Sequence, residues 1–462
     1  MESETPSKKR FLCPIYLIFL EAAIIILYGL FTSFSSFSEP INPSLTPSSD
    51  SENHFILLYP LYQDISIMIF VGIGFLMSFL RFHSWSSVGF NFILGALSLQ
   101  LYILFNGLWV RVITNSSWDI PINLDISLFI NALFGTAAVL ISLGGVIGKL
   151  NLFQLVCMAT IEICIYALNE AIVFNKIHIT DVGGSIVVHI FGGYFGLTVS
   201  LLVSSNNCKN HPKLVASYKS NLFSMIGTLF LWVYWPSFNA APALNINDVH
   251  RATLNTILSL TGSCIATFIF STLFKNGKLC MDDILNATLA GGVIIGTSAD
   301  IIVYPFSSLI IGCWAGFLTT FGFRVLSPLL QRKSILYDTC GIHNLHALPG
   351  VFGGVFSAIF IAGLTKSSLG YRVEDRFSGR SASEQAVLQI IGCGISLGFA
   401  VISGIFTGIL LKLPCFEKIN SLFDDKEFWV IENDPDDYLA VGHAHRRTES
   451  TDGKLVNHNL SN

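Results

Sequence analysis

Apolar residues run along this chain in blocks longer than a soluble core requires. Breaking the sequence at clusters of charge and of Pro, Ser and Asn leaves about twelve such blocks. They fall at approximately 11–33, 58–80, 88–110, 124–148, 151–173, 182–204, 221–240, 252–274, 283–304, 306–326, 341–364 and 386–411. Each is roughly 20 residues, enough to cross ~30 Å of hydrocarbon as a helix. Backbone polar groups inside a bilayer must be satisfied within the chain, so the pattern predicts an all-α polytopic membrane protein.

The first block follows Lys8-Lys9-Arg10, contains Glu21 and leads into Ser/Pro-rich sequence without a small-x-small cleavage site. It is expected to stay as a helix rather than be removed as a signal peptide. Orientation follows the basic residues. With the N-terminus inside, Lys8, Lys9, Arg10, Arg81, Lys149, Lys209, Lys213, Lys219, Lys275, Lys278, Arg332, Lys333 and Lys418 are cytoplasmic, while short outer loops carry Arg111, Lys176 and Arg251. The loop between the last two blocks departs from the pattern, with Lys366, Arg372, Arg376 and Arg380. An even number of crossings returns the chain to the cytoplasm. The expected division is a transmembrane domain over 1–412 and a cytoplasmic tail over 413–462, acidic at Asp424-Asp425 and largely disordered. Asn115-Ser-Ser117 then lies outside as a possible N-glycan acceptor.

A repeat sits inside this pattern. Asp181-Val-Gly-Gly-Ser-Ile-Val-Val-His189 returns in outline as Asp338-Thr-Cys-Gly-Ile-His-Asn-Leu-His346, each with a histidine eight residues after the acid. More glycine follows both copies: Gly192, Gly193 and Gly196, then Gly350, Gly353 and Gly354. Upstream, Asn131-Ala-Leu-Phe-Gly135 precedes Asp181 by 50 residues and Asn286-Ala-Thr-Leu-Ala-Gly291 precedes Asp338 by 52. Setting the first helix aside, helices 2–6 and 7–11 form two five-helix halves. Five is odd, so the halves are inverted, and such folds place a substrate path at the interface between them.

Composition supports this picture and adds little. Hydrophobic residues make up 52% of the 462 residues and charged residues 12%, about half the usual charged share. A net charge of −4 does not suggest a nucleic-acid partner. Five of the ten cysteines (Cys157, Cys164, Cys264, Cys313 and Cys393) lie in apolar runs and no CxxC pair occurs, so they are read as small apolar side chains.

Candidate chemistry centres on the repeat. On a regular helix, eight residues span about 12 Å and nearly one face. The sixth helix runs inward and the eleventh outward, so His189 and His346 approach each other near the centre. One alternative is that each histidine satisfies only a local hydrogen bond. Zinc would need further ligands, and apart from His343, one turn from His346, none falls at a suitable depth, so neither metal nor cofactor is expected. A narrow apolar path disfavours charge by desolvation. A weak base such as ammonium enters by shedding a proton, and neutral ammonia suits imidazoles that both donate and accept. Asp181 is read as a cap on the sixth helix through the N–H groups of Gly183 and Gly184, with a second role in drawing ammonium to the mouth. Asp338 is expected to support the eleventh helix in the same way. Phe134 and Phe238 could form a hydrophobic gate, although spacing alone favours packing. Glu162 and Glu170 either line a vestibule or support a neighbouring helix.

Four stretches carry a resemblance: Asp181 to Gly196, Tyr234-Trp-Pro-Ser-Phe-Asn239, His250-Arg-Ala252 with Asn255-Thr256, and Cys340-Gly-Ile-His-Asn-Leu-His346 with Pro349-Gly350. Together, and over about residues 58–411, the chain resembles the Rh glycoprotein branch of the Amt/MEP/Rh ammonium transporter family. The resemblance implies an ammonium transporter or ammonia channel, a plasma-membrane homotrimer with one pore per subunit and both termini cytoplasmic. It implies His189 and His346 as the twin pore histidines, Asp181 as the critical acid near the outer mouth, and Phe134 with Phe238 as the gate. Ala347 departs from the glycine usual beside the second histidine, and its methyl is expected to narrow the pore or shift His346. Carbon dioxide conduction and a non-transporting scaffold of the Rh type are the alternatives. No nucleophile–base or metal constellation indicates an enzyme.

Overall fold

The computed structural model describes residues 8–35, 49–208, 211–243, 245–333, 336–364, 376–417 and 419–431. Lys366, Arg372 and most of the tail, from 432 on, lie outside them. Ten helices are long and apolar enough to cross a membrane: α1 Leu12–Phe31, α2 Phe55–Phe79, α3 Ser84–Thr114, α4 Ile126–Val146, α5 Leu152–Ile177, α6 Ser185–Val203, α8 Ile246–Phe274, α10 Pro305–Arg332, α11 His343–Ala362 and α12 Ala382–Leu410. Two further crossings, α7 (Tyr218–Ala240) and α9 (281–298), bring the total among the described residues to twelve. The ninth apolar block is not one helix. It breaks into Met281–Ala287, Ala290–Ile295 and a 3-10 turn at Gly296–Ser298, all within the bundle.

Local chemistry sets the helix starts. Asp125 accepts the Leu128 N–H at 2.8 Å to begin α4, and capping boxes at Asn151, Ser217 and Ser381 begin α5, α7 and α12. Pro305 opens α10, where its missing N–H is not needed. The start of α3 is capped from the far end of the chain: the Asp425 carboxylate accepts the Trp85 and Ser86 N–H groups, each at 2.8 Å. Phe423 N–H donates to Gly148 O at 3.1 Å, and Lys213 pairs with Asp424. Residues 419–431 are therefore folded against the bundle, while the disorder expected of the tail concerns residues beyond about 440, outside the described ones. An acidic pair reads as solvated until its partners are in place.

The face carrying the outer ends of α1 and α12 is called here the terminal face. Lys9 Nζ reaches Pro414 O across it at 2.7 Å. On the opposite face a short parallel ladder joins β1 (Thr32–Phe34) to β2 (Ile122–Leu124). Helices α2–α6 and α7–α11 form the two halves, with α6 starting at the opposite face and α11 at the terminal face. Helix α1 lies outside both, held by Tyr28 Oη donating to Gln100 O at 3.0 Å. Large apolar side chains such as Ile18, Phe19, Leu254 and Ile402 face outward, while Ser259, Ser263 and Thr267 are buried. That distribution suits a lipid exterior, in which helix association depends on close backbone approach.

The closest such approach is between α8 and α10. A Cβ on Gly312 would lie 2.0 Å from Ser259 O, and one on Gly316 would lie 2.4 Å from Ser263 O. Nothing lies within 4 Å of a Cβ built on Gly394 in α12. Gly312→Ala is expected to lower the thermal midpoint in detergent by separating the two helices, at a cost of about 1–3 kcal/mol. Gly394→Ala should leave the midpoint unchanged or raise it, and equal effects of the two changes would contradict this packing.

Candidate functional site

Each helix that carries a repeat histidine begins in the same unusual way. An acid comes first, then a glycine with positive φ (Gly184, +69°; Gly341, +76°), then a π-helical turn. The π turns span Ser185–Ile190 in α6 and His343–Ala347 in α11, and each contains its histidine. Bulges of this kind re-aim side chains within a helix. Asp181 and Asp338 precede their helices instead of sharing a helical face with the histidines, so the regular spacing inferred from sequence does not apply.

Asp181 does cap α6, through different groups from those expected. Its Oδ2 accepts the N–H groups of Ile186 at 3.0 Å and Val187 at 2.8 Å, and its Oδ1 accepts Thr297 Oγ1 at 2.5 Å. Gly183 N–H is instead committed to Gly296 O at 3.0 Å, and Gly184 N–H closes the turn onto Asp181 O. The carboxylate is buried with its oxygens engaged. Asp338 mirrors it, accepting Gly341 N at 3.0 Å and Ile342 N at 2.9 Å on Oδ1 and His343 N at 2.8 Å on Oδ2.

The braces are crossed between the halves. The α6 start rests on the break in α9, where Ser185 Oγ donates to Val293 O at 2.7 Å and accepts Thr297 N at 2.9 Å. The α11 start rests on the end of α4, where Cys340 N donates to Gly144 O and Thr339 Oγ1 to Ile147 O, both at 3.2 Å. Glycine lets the two histidine helices meet: a Cβ on Gly193 would lie 2.8 Å from the Ala347 Cβ. The Ala347 methyl is thus seated on α6 at the crossing, fully buried, and does not project into the passage.

With both starts fixed, His189 Nδ1 and His346 Nδ1 lie 3.1 Å apart, their rings nearly parallel at 13° with centroids separated by 5.2 Å. One Nδ1 must carry a proton and the other accept it, leaving the two Nε2 atoms with opposite roles. His189 Nε2 is buried without a protein partner. Toward the opposite face lie Phe134 and Phe238, which stack at 4.0 Å and 9°, with Phe238 centred 6.2 Å from His189. Trp235, one turn before Phe238, lies beside the His189 ring at 6.0 Å. Beyond the phenylalanines, the half-buried Asp64 of α2 accepts Ser237 Oγ at 2.6 Å. Toward the terminal face a cavity of about 360 Å³ reaches the histidines, lined by Leu140, Ile342 and Leu345, with Asp282 and Arg324 also on its wall.

The remaining sequence candidates fall elsewhere. Glu162 accepts Ser142 Oγ at 2.5 Å, and Glu170 accepts Tyr102 Oη at 2.5 Å and Asn106 Nδ2 at 3.1 Å. Both are buried and tie α5 to α3 and α4, which resolves their two readings in favour of support. Asn115 ends α3 on the opposite face, exposed and in the left-handed conformation (φ 55°). His343 turns to Asn344 Oδ1 at 3.0 Å and away from the histidine pair. Among the described residues, no group of three or more His, Cys, Asp or Glu is placed to hold a metal. Sequence reasoning missed Thr297 and the depth of Lys149, because neither carries a signal until the halves are assembled.

The chain matches the Ammonium Transporter Family over residues 27–425. It is 40% identical over 458 residues to the ammonium transporter Rh type C of Xenopus laevis, covering 95% of each chain. It is 39% identical over 438 residues to the ammonium transporter Rh type B of Xenopus tropicalis, covering 91% of this chain and 94% of that one. Among solved structures it resembles Rh50 of Nitrosomonas europaea, described with the mechanism of conduction by the Rhesus family of channels. The TM-score is 0.75 at 32% identity, covering 87% of this chain and all of that one. Saccharomyces cerevisiae Mep2 shares the fold at a TM-score of 0.64 and 19% identity, covering 82% and 88%.

Thr297→Val keeps the shape of the α6 brace and removes its hydroxyl donor, leaving a buried carboxylate oxygen unsatisfied. The expected loss is about 1–3 kcal/mol. Asp181→Ala should cost more, since it also removes the oxygen that accepts the Ile186 and Val187 N–H groups. Thermal unfolding in detergent checks the order, and a Thr297→Val protein as stable as wild type would contradict it.

Proposed function

Since the chain belongs to the ammonium transporter family, on its Rh side, we propose that its route for ammonia is the passage between His189 and His346. The protein is a multi-pass membrane protein that conducts ammonium or ammonia. The observation that carries the assignment of the route is the 3.1 Å contact of buried His189 with half-buried His346, between a stacked aromatic pair and an open cavity.

Ammonium approaches the opposite face, where Asp64 supplies negative charge at this end of the route. The Phe134–Phe238 stack offers a charged ion nothing in place of its water, so ammonium gives its proton to bulk water at the mouth and only ammonia goes on. Neutral ammonia slips past as the rings part, and it meets the free nitrogen of His189, which it can accept from or donate to. Sodium and potassium cannot shed their charge and are refused. Asp181 supports α6, and its enclosed oxygens exclude direct contact with ammonium. Its charge acts on recruitment only through space. Asp338 supports α11 in the same way.

The reading extends to assembly and placement. The protein works as a homotrimer with one passage per subunit in the plasma membrane. Its terminal face is cytoplasmic, its residues 1–412 form the transmembrane domain, and the tail over 413–462 is cytoplasmic. Asn115 carries an N-glycan on the outer side. The protein is a channel and not an enzyme. Because the passage is neutral and dry, carbon dioxide is a second permeant, which competition in stopped-flow pH measurements distinguishes.

In proteoliposomes an inward ammonium gradient should alkalinise the lumen faster than in empty liposomes. His189→Ala and His346→Ala, singly and together, should alter flux and ion exclusion when flux and current are recorded side by side. If both variants match wild type, the passage lies elsewhere.

A further inference from the structure

Lys149 follows α4 in the turn to α5, a position that reads in sequence as an ordinary loop cation. The structure buries it. Its Nζ donates to Gly145 O at 2.6 Å, to Ser200 Oγ of α6 at 2.8 Å and to Tyr337 O. An ammonium has three donors and no acceptor, and here each donor has its own acceptor on a different segment. Ser200 Oγ donates to the same Tyr337 O at 2.5 Å. Tyr337 precedes Asp338, whose carboxylate closes the α11 start and so sets where His346 stands.

Among the described residues, no equivalent cation braces the other helix. Asp181 is met by the neutral hydroxyl of Thr297, while Asp338 lies close enough to Lys149 for its charge to hold the ammonium form. Burial draws the Lys149 amine down to about 8 and the Asp338 charge opposes that fall, so the group is largely charged at neutral pH. Lys149 does not line the cavity that reaches the histidines. It acts on the passage only through Tyr337 and Asp338.

We propose that Lys149 is a positioning residue for the passage, a buried ammonium that fixes the first turn of α11 and thereby the distance between His346 and His189. A carbonyl and a hydroxyl alone would leave Tyr337 O to compete for the Ser200 donor. The third arm, Gly145 O, fixes the amine to the end of α4, which itself braces Cys340 and Thr339. Histidine spacing is thus set from a site outside the path. The proposal rests on the twin-histidine route above.

The test measures methylamine and ammonia fluxes on the same proteoliposomes for wild type, Lys149→Met, Ser200→Ala and His346→Ala. The ratio of the two fluxes does not depend on how much protein folds. Lys149→Met should raise methylamine relative to ammonia by about threefold or more, the scale of coupling through packed neighbours. Ser200→Ala, which removes one of three acceptors, should move the ratio less and in the same direction, and it serves alone if Lys149→Met does not fold. A shifted ratio in His346→Ala with wild-type ratios in both other variants overturns the proposal while sparing the route. A wild-type ratio in all three overturns the route and the proposal with it.

Discussion

Two carboxylates, Asp181 buried and Asp338 half-buried, hold this protein in register, each closing the start of a helix in its own half while the opposite half braces it. Asp181 reaches the α6 backbone and is met by Thr297 from the broken α9. Asp338 reaches the α11 backbone, and the end of α4 holds the residues on either side of it. Neither helix start is complete within its own repeat. At buried Asp181 an unsatisfied oxygen is costly, because no water replaces the lost partner, and a bare helix end is costly at either start. The halves therefore determine each other's geometry, and the histidines two turns on inherit it.

Selectivity follows from where polar groups are withheld. The bundle is rich in buried Ser, Thr, Asn and Glu, and most are engaged: Glu170 with Tyr102 and Asn106, Asn239 with Thr256 and Gly292 O, Asn255 with Ala299 O and Ile302 O. These tie helices together and offer a permeant little. The passage itself presents stacked phenyl rings and then two imidazoles, with one nitrogen of His189 unclaimed by protein. On the route proposed above, a path with so few polar partners would admit a neutral molecule that forms one or two hydrogen bonds and exclude an ion that needs a full shell.

Much of this was legible in the sequence. The apolar blocks located the crossings because length and hydropathy are additive along a chain, and the paired Asp-to-His units exposed the inversion. The spacing misled where backbone geometry departs from the regular helix. Gly184 and Gly341 with positive φ, followed by π turns, move each acid off the helix, and a period of 3.6 cannot register that. The α9 block looked continuous because its break is composed of Ala, Gly and Thr, which lower hydropathy little. Thr297, Lys149 and Asp425 were invisible as functional positions because their partners lie 116, 188 and up to 340 residues away. Ala347 shows the same limit: a methyl that adds bulk in sequence fills the groove over Gly193 in space.

The central claim is that crossed bracing brings two imidazoles into one hydrogen-bonded pair. Nitrogen-15 NMR of histidine-labelled protein in lipid tests it directly, with the two rings assigned by their loss in His189 and His346 variants. The account predicts one protonated and one unprotonated Nδ1, joined by a through-hydrogen-bond coupling. Two rings that both carry their proton on Nε2, with no coupling between the Nδ1 nuclei, would contradict it.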